Sequence, residues 1–534
     1  MVQLLILGSC VLIICILSNK LTTRFGIPML LAFILLGMIF GSEGLFKIPF
    51  DDFRFAENIC TAALICIIFY GGFGTRWSAA RSAAGKALLL SSAGTLITAL
   101  ITGFLCHWFL RFGLLESLLI GAVLCSTDAA SVFYVLRSRN LSLKYHADSL
   151  LEIESGSNDP FAYTLTLILL SVIQAGSAVS GWDILRLAVS QILLGLLAGG
   201  LVAYAARWFL ETFSFEISGF DAVFVLAVSM LAYALPGAVG GNGYLSAYLV
   251  GIILGNSPIR NKKGLVNFFD GLTSLMQMVI FFMLGLLSFP SRIAAVWFPA
   301  LFIALFLTFL ARPLAIALLL TPLKVSFRQQ AVLSWAGLRG AASIVFAITV
   351  SVSGASLAHD LFHIVFCVVL LSLLLQGTLL PWFSRKTGMI NESGNVLTTF
   401  NDYTEEMDVH YISLPIRTGH PWTGRAVHDL NLPPETLLVF LKRTGKNILP
   451  RGDTVIQEGD VLVLSALAYT DQDDIQLKEI SLTPDHRWCG KAIHELDVPK
   501  NALIILIRRG EETIIPDGKT RLNAGDMVVL DTVS

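Results

Sequence analysis

Five ionisable side chains stand inside apolar sequence: Asp128 in STDAASVF, Glu154 and Asp159 in LEIESGSNDP, Arg312 in FLARPLAI and Arg339 in WAGLRGAASIVF. An ionisable group at mid-membrane costs about 2.5 to 3.5 kcal/mol even on lenient insertion scales, so each such residue needs a partner or a task. One arginine facing several acids leaves a carboxylate unpaired, and that carboxylate is tolerable only with a proton or a metal cation on it. Competition between a proton and a cation for one carboxylate is an exchange reaction. The remaining acids need less explanation. Asp221 and Asp270 fall near the ends of apolar blocks, where snorkelling or capping suffices, and Glu152 reads as a capping or solvated charge.

Helical spacing separates the acids of LEIESGSNDP. Residues four apart share a face, so Glu154 aligns with Asn158 and Ser155 with Asp159. One face offers hydroxyl and carboxylate oxygens to a hard monovalent cation, and the other can hold Glu154 against a positive partner. Pro160 lacks an N–H and crowds the carbonyl of Gly156, which predicts a bend beside the acids. Ser126, Thr127 and Asp128 form a polar patch between apolar halves, which suits a locally unwound segment facing a cavity. Gly337 and Gly340 interrupt a second block around Arg339. DAASVF and GAASIVF also match at Ala129, Ala130 and Ser131 against Ala341, Ala342 and Ser343, as inverted repeats with broken helices would. Glu154 is expected to pair with Arg339, a pair that also reads as a neutralised packing element; Arg312 has no role beyond a helix–helix contact.

The apolar pattern gives the scaffold that carries these residues. The chain is 55% hydrophobic and 14% charged, with mean hydropathy +0.73, which excludes disorder and disfavours a soluble enzyme. From Met1 to about Trp382 it is a succession of blocks near the length of about 20 residues that crosses a bilayer; beyond Arg385 it has soluble composition. About thirteen spans are predicted, near 2–18, 27–41, 56–74, 87–110, 114–136, 148–175, 184–206, 219–236, 242–256, 270–288, 294–320, 329–352 and 360–384. One set of alternate loops carries 16 Lys and Arg, and the other only Lys47, Arg54, Arg111, Arg186 and Arg292. That asymmetry places the polar tail in the cytoplasm and the N-terminus outside. The first block lacks a basic leader and cleavage site and reads as a retained helix. Eight cysteines, mostly in apolar blocks and without a CxxC pair, predict packing residues rather than disulfides or a metal site. A net charge of −1 and the lack of a basic cluster give no sign of nucleic-acid binding.

On STDAASVF (126–133), LEIESGSNDP (151–160), GNSPIRNKKG (255–264), GLRGA (337–341) and LLLQGT (373–378), the chain resembles the NhaP-type potassium/proton antiporters of the monovalent cation/proton antiporter-1 family. The resemblance implies an all-α polytopic membrane protein with thirteen helices in inverted repeats, crossed broken helices and a dimeric assembly in a bacterial inner membrane. It implies no catalytic residues and no metal beyond the transported ion. Asp159 would carry cation and proton, Asp128 would contact the ion, Thr127 would give a main-chain oxygen and Ser155 a hydroxyl. Glu154, Asn158 and Arg339 would form a supporting bridge, in which Arg339 neutralises Glu154. Asn158 before Asp159 is similar to the electroneutral branch, which exchanges K+ or Na+ for H+. Relatives often carry an acid where FYGGFG has Tyr70, so a third carboxylate is expected to be missing.

The tail is duplicated at an offset of 66 residues: WTGRAVHDLNLPP from Trp422 matches WCGKAIHELDVPK from Trp488, and Gly459–Asp460 matches Gly525–Asp526. LLVFLKR, VLVLS, ALIILIRR and MVVLD read as strands, with a short helix near AVHDL and AIHEL, making each copy an α+β unit. The domain limits are then 1–386 for the membrane part, 387–408 for a linker, and 409–470 and 471–534 for the repeats. Each copy is similar to the TrkA-C regulatory subdomain, which implies pairing and a small ligand such as cyclic di-AMP. His428, Arg443, His494 and Arg509 either form a ligand or proton sensor or maintain each copy's fold and surface. A ligand-gated channel would need a TVGYG-like filter, which the sequence lacks, and an intramembrane hydrolase lacks its nucleophile or metal arrangement.

Overall fold

The chain forms two compact units, Met1–Tyr403 and Thr404–Ser534, in a computed structural model. Residues 29–391 are described except 76, 139–140, 177–179, 214, 216–218 and 260; so are residues 9 and 12–17, and 409–532 with omissions at 431, 434–435, 444–445, 468–475, 485, 499–501, 510–511, 515 and 517. Most of the first predicted span and of the 387–408 linker therefore lies outside the described residues.

The first unit is helical. Its helices are α1 Met29–Phe40, α2 Phe53–Gly74, α3 Ala83–Leu110, α4 Leu114–Leu124, α5 Ala129–Ser138, α6 Ala147–Ala175 and α7 Gly181–Thr212. They continue as α8 Phe220–Ala238, α9 Gly243–Gly255, α10 Lys262–Leu286, α11 Pro290–Leu320, α12 Phe327–Trp335, α13 Ala341–Val352 and α14 Leu361–Lys386. Among the described residues seven helices (α2, α3, α7, α8, α10, α11 and α14) are long and apolar enough to cross a membrane. The others are short, or, like α6, mix their apolar length with the polar residues of the site. Helix starts reflect local chemistry. Asp52 accepts from Phe55 N at 2.9 Å, Asn242 accepts from Leu245 N at 2.9 Å, and Ser180 with Asp183 makes a capping box before α7, each satisfying N–H groups that a helix cannot pair internally.

α9 packs on α2 and α7, and α10 on α1 and α2. At Gly251 a Cβ would stand 2.2 Å from the Phe69 carbonyl oxygen, so α2 and α9 meet backbone to backbone as only a small residue permits. Phe69, Phe73, Phe269 and Phe281 fill the interior. Leu197, Leu201 and Tyr204 on α7, and Phe298, Phe309 and Leu318 on α11, point outward, the reverse of a soluble surface. β1 Ser142–Leu143 pairs antiparallel with β2 Ile390–Asn391.

The second unit holds two four-stranded antiparallel sheets of identical order. β3 Val409–Pro415, β4 Leu437–Arg443, β5 Lys446–Ile448 and β6 Val461–Leu467 run β3-β6-β4-β5. β7 Gln476–Ser481, β8 Ala502–Arg509, β9 Glu512–Ile514 and β10 Met527–Thr532 run β7-β10-β8-β9. The predicted short helices are single 3-10 turns, Val427–Asp429 and Ile493–Glu495. In each copy an arginine grips a buried aspartate through two bonds: Arg443 to Asp460 at 2.8 and 2.7 Å, and Arg509 to Asp526 at 2.8 Å twice. His428 and His494 are exposed, each with Nδ1 2.5 Å from a glycine carbonyl, Gly452 and Gly518. The arginines thus tie β4 and β8 to the GD turns.

The Arg443 guanidinium holds the Asp460 carboxyl below its usual range. A carboxyl depressed by folding contributes stability that is present above its unfolded value, about pH 4, and is lost as pH falls through the folded one. Asp460→Ala is expected to cost the first repeat about 2–3 kcal/mol, because charge-assisted bonds are removed and Arg443 is stranded. Hydrogen exchange in the full chain should show β4 and β6 opening about 30- to 150-fold more often, with the second repeat unchanged.

Candidate functional site

Two helical breaks meet at the centre of the membrane unit. Residues 125–128 separate α4 from α5, and 336–340 separate α12 from α13. The breaks are joined backbone to backbone, Asp128 N donating to Leu338 O at 2.8 Å. Gly340 makes the approach possible, since a Cβ there would sit 2.0 Å from Asp128 Oδ2. Gly340→Ala is therefore expected to push Asp128 off its position at a cost of about 1–3 kcal/mol. The thermal midpoint should fall while the protein still elutes as a folded species on size exclusion.

Asp128 precedes α5 and acts as its N-cap, accepting from Ser131 N at 3.3 Å and from Ser131 Oγ at 2.5 Å. Asp159, in α6, accepts a hydrogen bond from Ser126 Oγ. Ser155 Oγ donates to Thr127 O at 2.6 Å, and Asn158 Nδ2 donates to Thr127 Oγ1 at 2.6 Å. One turn of α6 thereby fastens the unwound segment, and Asn158, expected beside Glu154 in the bridge to Arg339, bonds to Thr127 instead. α6 continues through Pro160, whose carbonyl accepts from Asn242 Nδ2 at 2.8 Å. Thr127, Asp128, Ser155 and Asp159 line one cavity of about 510 Å3. Glu154, Asn158 and Arg339 are buried and are not in its lining.

The expected Glu154–Arg339 pair is not what this core holds. Glu154 Oε1 is bonded to Arg312 Nη1 at 2.5 Å, both side chains almost wholly buried. Arg339 instead donates from Nη1 to the carbonyls of Cys125 at 2.8 Å and Ser126 at 2.7 Å. There it places a cation at the negative end of α4, where carbonyls have no helical partner. Arg339 N is held by Ser372 Oγ at 3.1 Å. Intramembrane cost had singled out Arg312, but a partner 158 residues away leaves no trace in local spacing.

Two acids assigned to helix ends also belong to this cavity. Asp270 in α10 and Glu152 in α6 are in its wall. Tyr70 OH donates to Asp270 Oδ1 at 3.3 Å, and Thr75 Oγ1 donates to Glu152 Oε1 at 3.4 Å. Asp270, from another helix, is thus joined to Tyr70 at the cavity wall. Glu152 is buried rather than solvated, because α3 and α2 pack over the start of α6. Asp270→Asn should leave the fold intact and raise the cation concentration for half-maximal exchange about 3- to 10-fold, since a carboxylate lining a cleft raises the local cation concentration.

A family model described as the transmembrane sodium/hydrogen exchanger matches residues 9–386. The chain belongs to the sodium/hydrogen exchanger family. A second family model, the TrkA-C domain, matches twice in the exchanger's tail, at 411–468 and 477–532. The exchanger is 35% identical over 468 residues to a K(+)/H(+) antiporter NhaP2 of Shewanella sp. (strain ANA-3), covering 86% of this chain and 80% of the relative. It is 34% identical to the K(+)/H(+) antiporter NhaP of Alkalimonas amylolytica, with coverages of 85% and 80%. The Na(+)/H(+) antiporter ApNhaP of Aphanothece halophytica is 26% identical over 63% of this chain and 66% of its own. Among solved structures, the sodium proton antiporter MjNhaP1 from Methanocaldococcus jannaschii at pH 8 superposes with a TM-score of 0.63 at 26% identity, covering 71% of this chain and all of that one.

Proposed function

We propose that this exchanger moves one K+ out of the cytoplasm for each proton that enters, with Asp159 as the shared carrier, Asp128 as the second ion-facing carboxylate, and Thr127 and Ser155 as oxygen ligands. One observation carries this reading: among the described residues the two central arginines are committed to Glu154 and to the Cys125 and Ser126 carbonyls, while Asp128 and Asp159 face a common cavity with only hydroxyl and N–H donors on them. A carboxylate so placed takes a proton or a cation in turn. A single carrier gives one charge each way, hence electroneutral exchange. Glu154–Arg312 and Arg339 brace the breaks, with Asn158 holding Thr127.

The finer architecture belongs to this reading. Pairing α4 with α5 and α12 with α13 as two broken spans, and counting the first apolar block, gives thirteen crossings in inverted repeats, with the N-terminus outside and the tail in the cytoplasm. A homodimer in a bacterial inner membrane accords with the family. Potassium is favoured over sodium because the relatives that match most of this chain carry that name, with Na+ as the second reading. The duplicated tail regulates exchange by binding a small ligand, cyclic di-AMP being the compound to try.

Proteoliposomes loaded with a pH-sensitive dye test the core of this. K+ gradients should drive proton flux that is unchanged by clamping the membrane potential, and the half-saturating K+ should rise about tenfold per unit fall in pH while proton and cation compete for one group. Flux that tracks the potential, or that ignores both cations, would contradict it.

A further inference from the structure

We propose that residues 388–391, where the chain leaves α14 towards the tail, are the mechanical input through which the tail sets the position of α6. The observation is a short, densely bonded seam. β1 pairs with β2 in the register Ser142 to Asn391 and Leu143 to Ile390. Ser142 Oγ donates to Asn391 O at 3.1 Å, Lys144 N to Met389 O at 2.8 Å, and Lys144 Nζ to Gly388 O at 3.2 Å. Met389 and Leu143 are buried beside it. Four consecutive residues of the exit strand are therefore fastened to three of the loop between α5 and α6.

The residues just beyond β1 give the seam leverage. Tyr145 (φ 60°) and His146 (φ 53°) are two successive non-glycine residues in the left-handed region, a conformation that persists only where the surroundings impose it. Ala147 opens α6 immediately after them, and Glu152, Glu154, Ser155, Asn158 and Asp159 lie within its first four turns. Gln329 Nε2 of α12 donates to Tyr145 O at 3.3 Å, linking the strained pair to the other broken helix. Any displacement carried along the chain from the tail reaches Asn391 before any other described residue of the first unit. It acts there on the loop that sets the start of the helix bearing Asp159. A two-residue ladder is marginal alone, which suits an element meant to shift. The seam is thus a positioning element for α6.

This rests on the transport reading, so its test has one arm independent of flux. In full-length protein carrying Cys489→Ser, the pair Ser142→Cys with Asn391→Cys joins facing residues whose separation in an antiparallel ladder suits a disulfide. Arg443→Ala disturbs the first repeat of the tail, whose buried Asp460 that arginine holds. With the cysteines reduced, Arg443→Ala should change K+-driven proton flux at least about threefold. With them oxidised, it should change flux less than about 1.5-fold. An equal effect in both states, or none in the reduced state, overturns the proposal. In the second arm, hydrogen exchange of amides 147–151 is measured in detergent. Ile390→Pro and Arg443→Ala should each speed it about tenfold or more, and the oxidised crosslink should abolish the Arg443→Ala effect; unchanged exchange overturns the proposal even if no cation is transported. Absent flux with normal exchange responses would instead count against the transport reading.

Discussion

Asp159→Asn is expected to lower cation-driven proton flux at least about 100-fold while leaving the membrane unit assembled. The amide is nearly isosteric, and its Oδ1 can still accept the hydrogen bond from Ser126 Oγ, so the contact between α6 and the unwound segment survives. What disappears is the charge. A neutral amide forfeits charge-assisted binding of about 2–3 kcal/mol, roughly 30- to 150-fold, and it has no proton to release when the cation arrives. Asp128→Asn should be milder, since the N-cap to Ser131 is kept and only the second ion contact is weakened. Flux assays in proteoliposomes, paired with size exclusion and thermal unfolding, separate loss of transport from loss of fold. Near-normal exchange by Asp159→Asn would remove Asp159 as the carrier.

Removing one partner of the Glu154–Arg312 pair should give the largest stability effect in the membrane unit. Both side chains are almost wholly buried and joined at 2.5 Å, and breaking such a pair strands an uncompensated charge at about 3–5 kcal/mol. Arg312→Met alone should therefore lower the thermal midpoint in detergent markedly, and adding Glu154→Gln should restore much of it. Arg339→Met should also destabilise, because the Cys125 and Ser126 carbonyls lose their donor, but Glu154→Gln should not rescue it. The double-mutant cycle thus distinguishes the two arginines as partners of Glu154. Rescue of Arg339→Met by Glu154→Gln, without rescue of Arg312→Met, would reverse the assignment.

Much of the site was legible because membrane chemistry leaves few ionisable residues unexplained. Insertion cost singled out Asp128, Glu154, Asp159, Arg312 and Arg339, and the four-residue helical repeat put Ser155 and Asp159 on one face, the one that meets the unwound segment; it grouped Asn158 with Glu154, whereas Asn158 bonds to Thr127. The duplication at offset 66 also foretold its own geometry: Arg443–Asp460 and Arg509–Asp526 repeat at that interval with the same bonds. The errors share one cause. Finding Arg312 as the partner of Glu154, the burial of Glu152 and the place of Asp270 in the cavity wall required knowing which helices adjoin, and hydropathy along one chain does not encode adjacency.

An apolar helical unit with a polar, acid-bearing centre and a duplicated tail is therefore written in the order of residues alone, because the hydrophobic effect and helical periodicity act locally. Three features became fixed only when the chain folded: which arginine pairs with Glu154, that Tyr70 bonds to Asp270 at the cavity wall, and that β2 closes on β1 beside α6. Each depends on contacts between segments distant along the chain. Their energies come from charge pairing and backbone hydrogen bonding across an interior that excludes water, where a difference of one helix neighbour changes the partner entirely.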